Sequence, residues 1–380
     1  MGGEPVPLRL PFARPEGGVA LVREWLADLV ETSCSGMDLD GLLLGAASAE
    51  ELAGMLAASL RLDLPTVCAS PDSQSLSATL VALGLAPGLG DPANTAVSLP
   101  ESEGPRPRKL VDDFSLANAV RAGVAAGGGS EVLVHLGAIA REAGVTGFGQ
   151  MMRVLASETP EADPEWLREY GVPDLLSSLG DTLHDVPTVA GNLKENLPSA
   201  PPAPGEYSRL VFIMARASGA EAVCRVRKGE TEPAGECRVF GSEEEAVSSV
   251  LGGEVEEGAL LVVGGCGPRG GPGLLRLDAL GNSLKESGLK VPVMTDGLAP
   301  KDVLGPWISL FTPEAAAGGV LRLLRDGDTL RVDLTEGRIR TGAGEFTSRE
   351  PGEFPNGAGT AYADRYARTA LPALEGAGFG

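Results

Sequence analysis

Aromatic residues are scarce in this 380-residue chain: nine Phe, three Trp and four Tyr, 4% of the total. Histidine is scarcer still. With only His135 and His184 present, a histidine-rich metal centre or a His-based catalytic triad has few candidates. The five cysteines, Cys34, Cys68, Cys224, Cys237 and Cys266, are odd in number and widely spaced, with no CxxC pair. That pattern argues against a disulfide framework and against a structural zinc site. Basic residues are few, 31 against 52 acidic ones, for a formal charge of −21. A surface this acidic repels nucleic-acid phosphates and anionic lipid heads, so neither nucleic acid nor membrane is expected as a partner. No apolar run approaches the ~20 residues that span a bilayer. Met1–Pro15 lacks a basic stretch followed by an apolar one, so no secretory signal is read and a cytoplasmic location is expected.

What is plentiful points to a folded α/β protein. Hydrophobic residues make up 43% of the chain, with 53 Gly and 29 Pro. This suits an Ala/Gly/Leu-rich core with many tight turns, and the length suits two domains. Residues 18–32 carry apolar side chains at helical spacing. A short apolar run at 41–44, a helical stretch at 49–60 and a buried run at 64–69 follow. This β-α-β alternation predicts a parallel sheet in an N-terminal α/β lobe. Further helices are predicted at 74–85, 115–126, 131–143 and 165–179. Leu197–Ser208 then places five Pro or Gly in eight positions and is read as a linker. Beyond it, strands are predicted at 210–215, 236–240, 260–263, 291–295 and 329–334, and helices at 242–251, 274–287 and 361–370. The expected domains are therefore 1–197, α/β, and 209–380, strand-rich and β-barrel-like, joined by 198–208.

Several segments, in order, resemble the dihydroxy-acid dehydratase and phosphogluconate dehydratase family. They include RxxLAD (Arg23–Asp28), LDGLLLG (Leu39–Gly45), GGGSEVLVHLGAIAREAGV (Gly127–Val145), DTLHDVPTVAGNLKENL (Asp181–Leu197), RVFGSEEEA (Arg238–Ala246), GPRGGPG (Gly267–Gly273), TDG (Thr295–Gly297) and TPEAAAGGVLRLLRDGDTLRVDL (Thr312–Leu334). The collinear series covers about residues 18–375. It implies a dimeric hydro-lyase acting on sugar acids or 2,3-dihydroxy acids, with a site at the junction of two lobes. It also implies an iron–sulfur cluster on three cysteines, a magnesium ion on carboxylates and a carbamylated lysine, and a serine base.

On that resemblance the chain is a divergent, N-terminally truncated member. The family's first segment, with its first cluster cysteine and one metal-binding acid, has no counterpart. The Cys-Asp-Lys triplet that should supply a cluster ligand, a magnesium ligand and the modified lysine reads Ser48-Ala49-Glu50. The stretch 70–78, where the third cysteine is due, has none. Glu-Gly-Pro becomes Cys266-Gly267-Pro268, with loss of a further acid. Asp-Gly-Arg-Phe-Ser-Gly becomes Asp296-Gly297-Leu298-Ala299-Pro300-Lys301, so Pro300 stands for the serine, and Leu310 stands for a family histidine. No cofactor is expected.

Candidate catalytic groups are then His184 beside Asp185, Cys266, Glu131 and Glu50. Each has an ordinary structural reading: a turn histidine, a small buried thiol, an acid favoured by a helix N-terminus, and a solvated first-turn acid. His135 reads as a core histidine. The Gly265–Gly273 loop is the most specific survivor. Arg269 and the N–H groups of Gly270, Gly271 and Gly273 could cradle a carboxylate, or the loop could be only a tight turn. Ser48, Ser130 and Asp296 are further candidate substrate contacts. The expected function is a cluster- and metal-independent lyase, isomerase or cyclase acting, as a homodimer, on a small acidic metabolite in biosynthesis. A non-catalytic scaffold or regulator is the alternative.

Overall fold

A computed structural model describes residues 5–8, 14–69, 71–88, 92–98, 104–199, 201–215, 219–230, 232–341, 349–352 and 360–380. They divide into two compact units. The first contains Met1–Glu16, Val22–Gly128 and His135–Tyr207; the second contains Gly17–Leu21, Gly129–Val134 and Ser208–Gly380.

The first unit is helical around a small parallel pair of strands. Its elements are α1 (Val19–Cys34), β1 (Leu42–Leu44), α2 (Ala49–Leu62), β2 (Thr66–Cys68), α3 (Gln74–Ala82), α4 (Pro92–Ser98), α5 (Pro107–Leu110), α6 (Asp113–Ala125), α7 (Gly129–Glu142), α8 (Phe148–Glu158), β3 (Glu161–Ala162), α9 (Pro164–Leu179), β4 (Pro187–Thr188) and β5 (Gly191–Asn192). The first turns of α1 and α7 belong to the second unit. Strands β1 and β2 pair in parallel, Leu43 opposite Val67, with α2 as the crossover. Local chemistry sets the helix ends. Asp112 and Ser115 form a reciprocal capping box at α6, and Asp163 accepts the N–H groups of Glu165 and Trp166 at α9. The predicted continuous helix over 165–179 breaks at Gly171, whose φ of +81° is non-helical, two residues before Pro173. Proline restricts the residue before it and cannot donate an N–H, so the chain kinks there. In the Arg23–Asp28 motif, fully buried Arg23 holds Glu24 at 2.9 Å, and Asp28 joins Glu31 and Glu142 around Arg61 at 2.8–3.2 Å. That motif ties helices together.

The second unit is a closed eight-stranded sheet with helices on its outer face. Its elements are β6 (Glu206–Ala215), β7 (Ala220–Arg227), β8 (Ala234–Phe240), α10 (Glu243–Leu251), β9 (Ala259–Val263), α11 (Asp278–Glu286), β10 (Val293–Thr295), β11 (Trp307–Thr312), β12 (Thr329–Asp333), β13 (Arg338–Thr341) and α12 (Ala361–Thr369). The strand order is β13-β12-β8-β9-β10-β11-β7-β6, and β13 closes on β6. The four central strands β8, β9, β10 and β11 run parallel, linked by α10 and α11. Alternation explains why Ala259–Val263 is apolar throughout. Leu260 and Val262 join Cys224, Cys237, Met294, Ile308 and Val332 in one core, whereas Leu261 and Val263 join Ala246, Val250, Leu280 and Leu284 in the other. A strand covered on both faces loses its polar alternation. The proline-rich 198–208 segment ends in order: Glu206 already opens β6. The helix predicted from Leu274 starts only at Asp278, because Leu274 adopts a φ of +69° and Arg276 bridges in parallel to Leu298. The Gly/Pro stretch expected before α12 lies partly outside the described residues.

Candidate functional site

The glycine-rich loop leaves β9 at Gly264 and runs past Asp296, which follows β10. Asp296 is fully buried. Its carboxylate accepts the N–H groups of Gly265 at 3.2 Å, Cys266 at 2.8 Å and Ala315 at 2.8 Å. Four residues along the loop, a second buried carboxylate plays the same part. Glu314 accepts the Arg269 N–H at 2.9–3.0 Å and the Gly270 N–H at 3.1 Å. Gly267 makes room for it, since a Cβ there would stand 2.3 Å from Glu314 Oε2. Successive N–H groups in such turns form concave anion sites, and both concavities here hold an acid of the chain itself.

The remaining expected cradle donors are also engaged. Gly271 donates to the Gly267 carbonyl at 3.1 Å and Gly273 to the Pro268 carbonyl at 3.0 Å. Gly273, at φ +91°, lies where a Cβ would meet Leu21, and its carbonyl accepts the Ala20 N–H at 2.7 Å. The Arg269 guanidinium turns to the end of α12 and donates through Nε and Nη2 to the Ala370 carbonyl at 3.2 and 3.1 Å. A cation on a helix C-terminal carbonyl is a stabilising cap. Of the two readings of this loop, ligand cradle or tight turn, the bonds present are those of a turn.

Burial sets the protonation of the loop. It pushes the Glu314 carboxyl up to about 7; nearby Asp296 adds to the rise, while the Gly270 and Arg269 N–H groups oppose it. Asp296 is also raised by burial, against the pull of its three backbone donors. Burial, then Asp296, hold the Cys266 thiol well above its ordinary range. A nucleophilic cysteine needs its thiolate, the form this buried setting disfavours.

A different cluster gathers around the start of α7. Gly128 caps that helix without a side-chain bond. Glu131 accepts from Arg276 Nη1 at 2.7 Å, and Arg276 Nε reaches Asp278 at 3.0 Å. Ser130 Oγ lies 3.3 Å from Ser309 Oγ. Ser309 Oγ also lies 3.3 Å from the Val223 carbonyl, to which it can donate. Arg225 packs over Gly129. Ser309 sits on β11 where the register with β7 shifts, and the next residue, Leu310, has a φ of +60°. A leucine in the left-handed region is strained, and such strain concentrates at functional positions. Of the sequence candidates, Glu131 and Ser130 meet in this cluster; Arg276 and Ser309 join them unforeseen. Neither carries a motif: Arg276 lies three residues past GPRGGPG, and Ser309 is a polar interruption of an apolar strand.

The other candidates have local partners in the first unit. Ser48 is the α2 N-cap, accepting the Glu51 N–H at 3.3 Å. Glu50 faces Arg14 at 3.8 Å. His184 is exposed, its ring 4.8 Å from Phe114, and its backbone is clasped by Asn118 through two 2.8 Å bonds. Asp185 accepts the Lys194 N–H at 3.0 Å instead of pairing with that ring. His135 is buried, Nδ1 3.4 Å from Arg23.

This fold and these motifs have clear relatives. The family model for the N-terminal part of dihydroxy-acid/6-phosphogluconate dehydratases matches residues 90–196, and that for the C-terminal part matches residues 214–377. Dihydroxy-acid dehydratase of Citrifermentans bemidjiense is 28% identical, over 82% of this chain and 74% of the relative. The Geobacter metallireducens enzyme is 29% identical over 83% and 75%, and that of Sulfurisphaera tokodaii 33% identical over 62% and 48%. The chain belongs to the dihydroxy-acid/6-phosphogluconate dehydratase family.

The family's cluster and magnesium find no matching donor set here. All five cysteines are buried and unbridged, on α1, β2, β7, β8 and the glycine-rich loop. Among the described residues no three His, Cys, Asp or Glu side chains converge as a metal site would require. An iron–sulfur cluster needs converging thiolates; here burial pushes the Cys68 and Cys237 thiols up to about 12. The residues present do not fit either group.

Proposed function

We propose that this dehydratase-family protein acts on a small polar carboxylic acid with its own side chains alone, as a cluster- and metal-independent lyase, isomerase or cyclase of a biosynthetic pathway. The observation that carries this reading is the Glu131–Arg276 pair beside the Ser130–Ser309 hydroxyls, on a strained strand bulge. Arg276 is the group to hold a substrate carboxylate, since a guanidinium binds that group through charge-assisted bonds. Glu131, paired with Arg276 at 2.7 Å, is the group to take a proton from carbon next to the held carboxylate. The serine hydroxyls suit hydrogen bonds to substrate hydroxyls.

Calorimetry with a panel of 2-hydroxy, 2,3-dihydroxy and sugar acids tests this, followed by product detection by NMR. Wild type should bind at least one acid, and Arg276→Gln should weaken it roughly tenfold to a hundredfold. Glu131→Gln should keep binding and lose turnover. Equal binding by Arg276→Gln, or no binding by wild type, would overturn the reading. It would then favour a second one, a non-catalytic scaffold or regulator, for which the self-satisfied glycine-rich loop already speaks. We further propose a cytoplasmic homodimer. Among the described residues no helix is long and apolar enough to cross a membrane. Light scattering at micromolar concentration should give about twice the 38.9 kDa chain mass.

A further inference from the structure

The glycine-rich loop contains a built carboxylate site whose occupant is part of the chain. Glu314 enters it from outside the loop, following the β11 strand, and meets two consecutive backbone donors, Arg269 and Gly270. The fit is close. Its Oε2, Cδ and Cβ would all lie within 2.8 Å of a Cβ at Gly267, so the glycine is there to admit the side chain. A Cβ at Gly270 would stand 3.0–3.1 Å from Gly265 and Ala316, tighter than ordinary contact. The donors do not depend on Glu314 for their direction. The loop is fixed by bonds of its own, Gly271 to Gly267, Gly273 to Pro268 and Leu275 to Cys266 at 2.8–3.1 Å. Its entry is held by Asp296, and Arg269 is anchored on Ala370. Removing the Glu314 carboxylate would therefore leave the part-buried Arg269 N–H and the buried Gly270 N–H aimed at one spot without an acceptor, and a donor shielded from water without a partner is costly.

We propose that the Arg269–Gly270 turn is a carboxylate-binding site kept closed by Glu314 as an internal ligand, and that a free carboxylate of acetate size takes the same position when that side chain is cut back. The charged groups around it are Asp296 and the Arg269 side chain. A free carboxylate there meets the same burial and the same neighbouring Asp296 that Glu314 meets. This site is independent of the Glu131–Arg276 pair and stands whether or not that pair is catalytic.

Glu314→Ala removes one methylene and the carboxylate, the atoms that acetate supplies. Amide-resolved hydrogen exchange and melting temperature would be measured in sodium acetate and, at equal ionic strength, in sodium chloride. In chloride, exchange at Arg269 and Gly270 should rise roughly tenfold or more over wild type, in line with losing bonds to a charged acceptor. Acetate should restore protection and raise the melting temperature saturably in Glu314→Ala. It should leave wild type and Glu314→Gln, whose amide oxygen still fills the site, unmoved. Failure of acetate to restore protection, or an equal response of wild type, would overturn the proposal. Glu314→Ser is run in parallel. If both shortened variants fold only in acetate, that supports the site; if neither folds in either salt, the site is not refillable and the proposal falls.

Discussion

Two turns carry the family's site motifs in this chain, and they differ in instructive ways. The Ser48–Glu51 turn ahead of α2 lies where the resemblance implies a Cys-Asp-Lys triplet and reads Ser48-Ala49-Glu50. What remains is a common helix start: a serine cap, two first-turn acids and an arginine partner. The Gly265–Gly270 loop overlaps the GPRGGPG segment that resembles the family most specifically. Yet its donors hold Asp296 and Glu314, and its arginine caps α12. The first turn is an ordinary helix start, and the second, for all its resemblance to the family's loop, uses its donors internally. Retained sequence is therefore weak evidence of retained binding, because a backbone anion site is filled as well by a neighbouring carboxylate as by a ligand.

The comparison breaks most sharply at Gly267. Gly267→Ala places a methyl group 2.3 Å from Glu314 Oε2 in a fully buried setting. It should cost about 3 kcal/mol, the upper end for overpacking, because the Glu314 Cβ and Cδ also lie within 2.8 Å and the side chain must leave its two donors. Denaturant unfolding reads this; a loss under ~1 kcal/mol would mean that Glu314 can leave the loop freely.

Next in size is a pH effect. The Glu314 carboxyl rises from 4.5 to about 7 on folding. The folded state thus binds the proton more tightly, so the stability this group contributes is present below pH ~4.5 and lost as pH climbs through ~7. Over that window the loss is roughly 3 kcal/mol at 1.4 per unit. Glu314→Gln should remove that part of the slope, giving a flatter stability profile between pH 5 and 8. Parallel profiles for wild type and variant would show that Glu314 does not titrate there.

Arg269→Ala should cost about 1–2 kcal/mol by uncapping α12 at Ala370. Arg238→Ala, which loses an exposed contact to the Glu254 carbonyl, should cost less. A neutral Arg269→Ala would return that guanidinium to the candidate ligand contacts. The smallest effect belongs to the other turn. Ser48→Ala should lose about 1 kcal/mol of α2 capping, and Glu50→Ala, partly exposed at 3.8 Å from Arg14, no more than ~0.5 kcal/mol.

Much of the fold is legible in the residues. The apolar run at 259–263 and the Ser242–Glu245 start of α10 specify their elements locally, because periodicity and capping act within a few residues. Strands β7, β11 and β13 are not so readable. Glu221, Arg225 and Arg227 interrupt the apolar pattern of β7, and β11 is buried on both faces at a register shift. Both become strands because the closed sheet supplies their hydrogen-bond partners. In the candidate site, Glu131 and Ser130 are visible as polar residues at a helix start. Arg276 and Ser309 are not, since they come from positions 145 and 179 residues away and meet only when β11 and the loop after β9 are in place.

The sequence alone determined the family, the α/β and strand-rich halves, and the absence of the expected cysteines and serine, all of which depend on residue identity and short-range spacing. Only the tertiary structure decided which acid fills which backbone donors. Asp296 lies 31 and 30 residues from the Gly265 and Cys266 N–H groups it holds, and Glu314 45 and 44 residues from those of Arg269 and Gly270. Burial then sets their charge by removing water, a property that belongs to the packed site and to no segment of the chain.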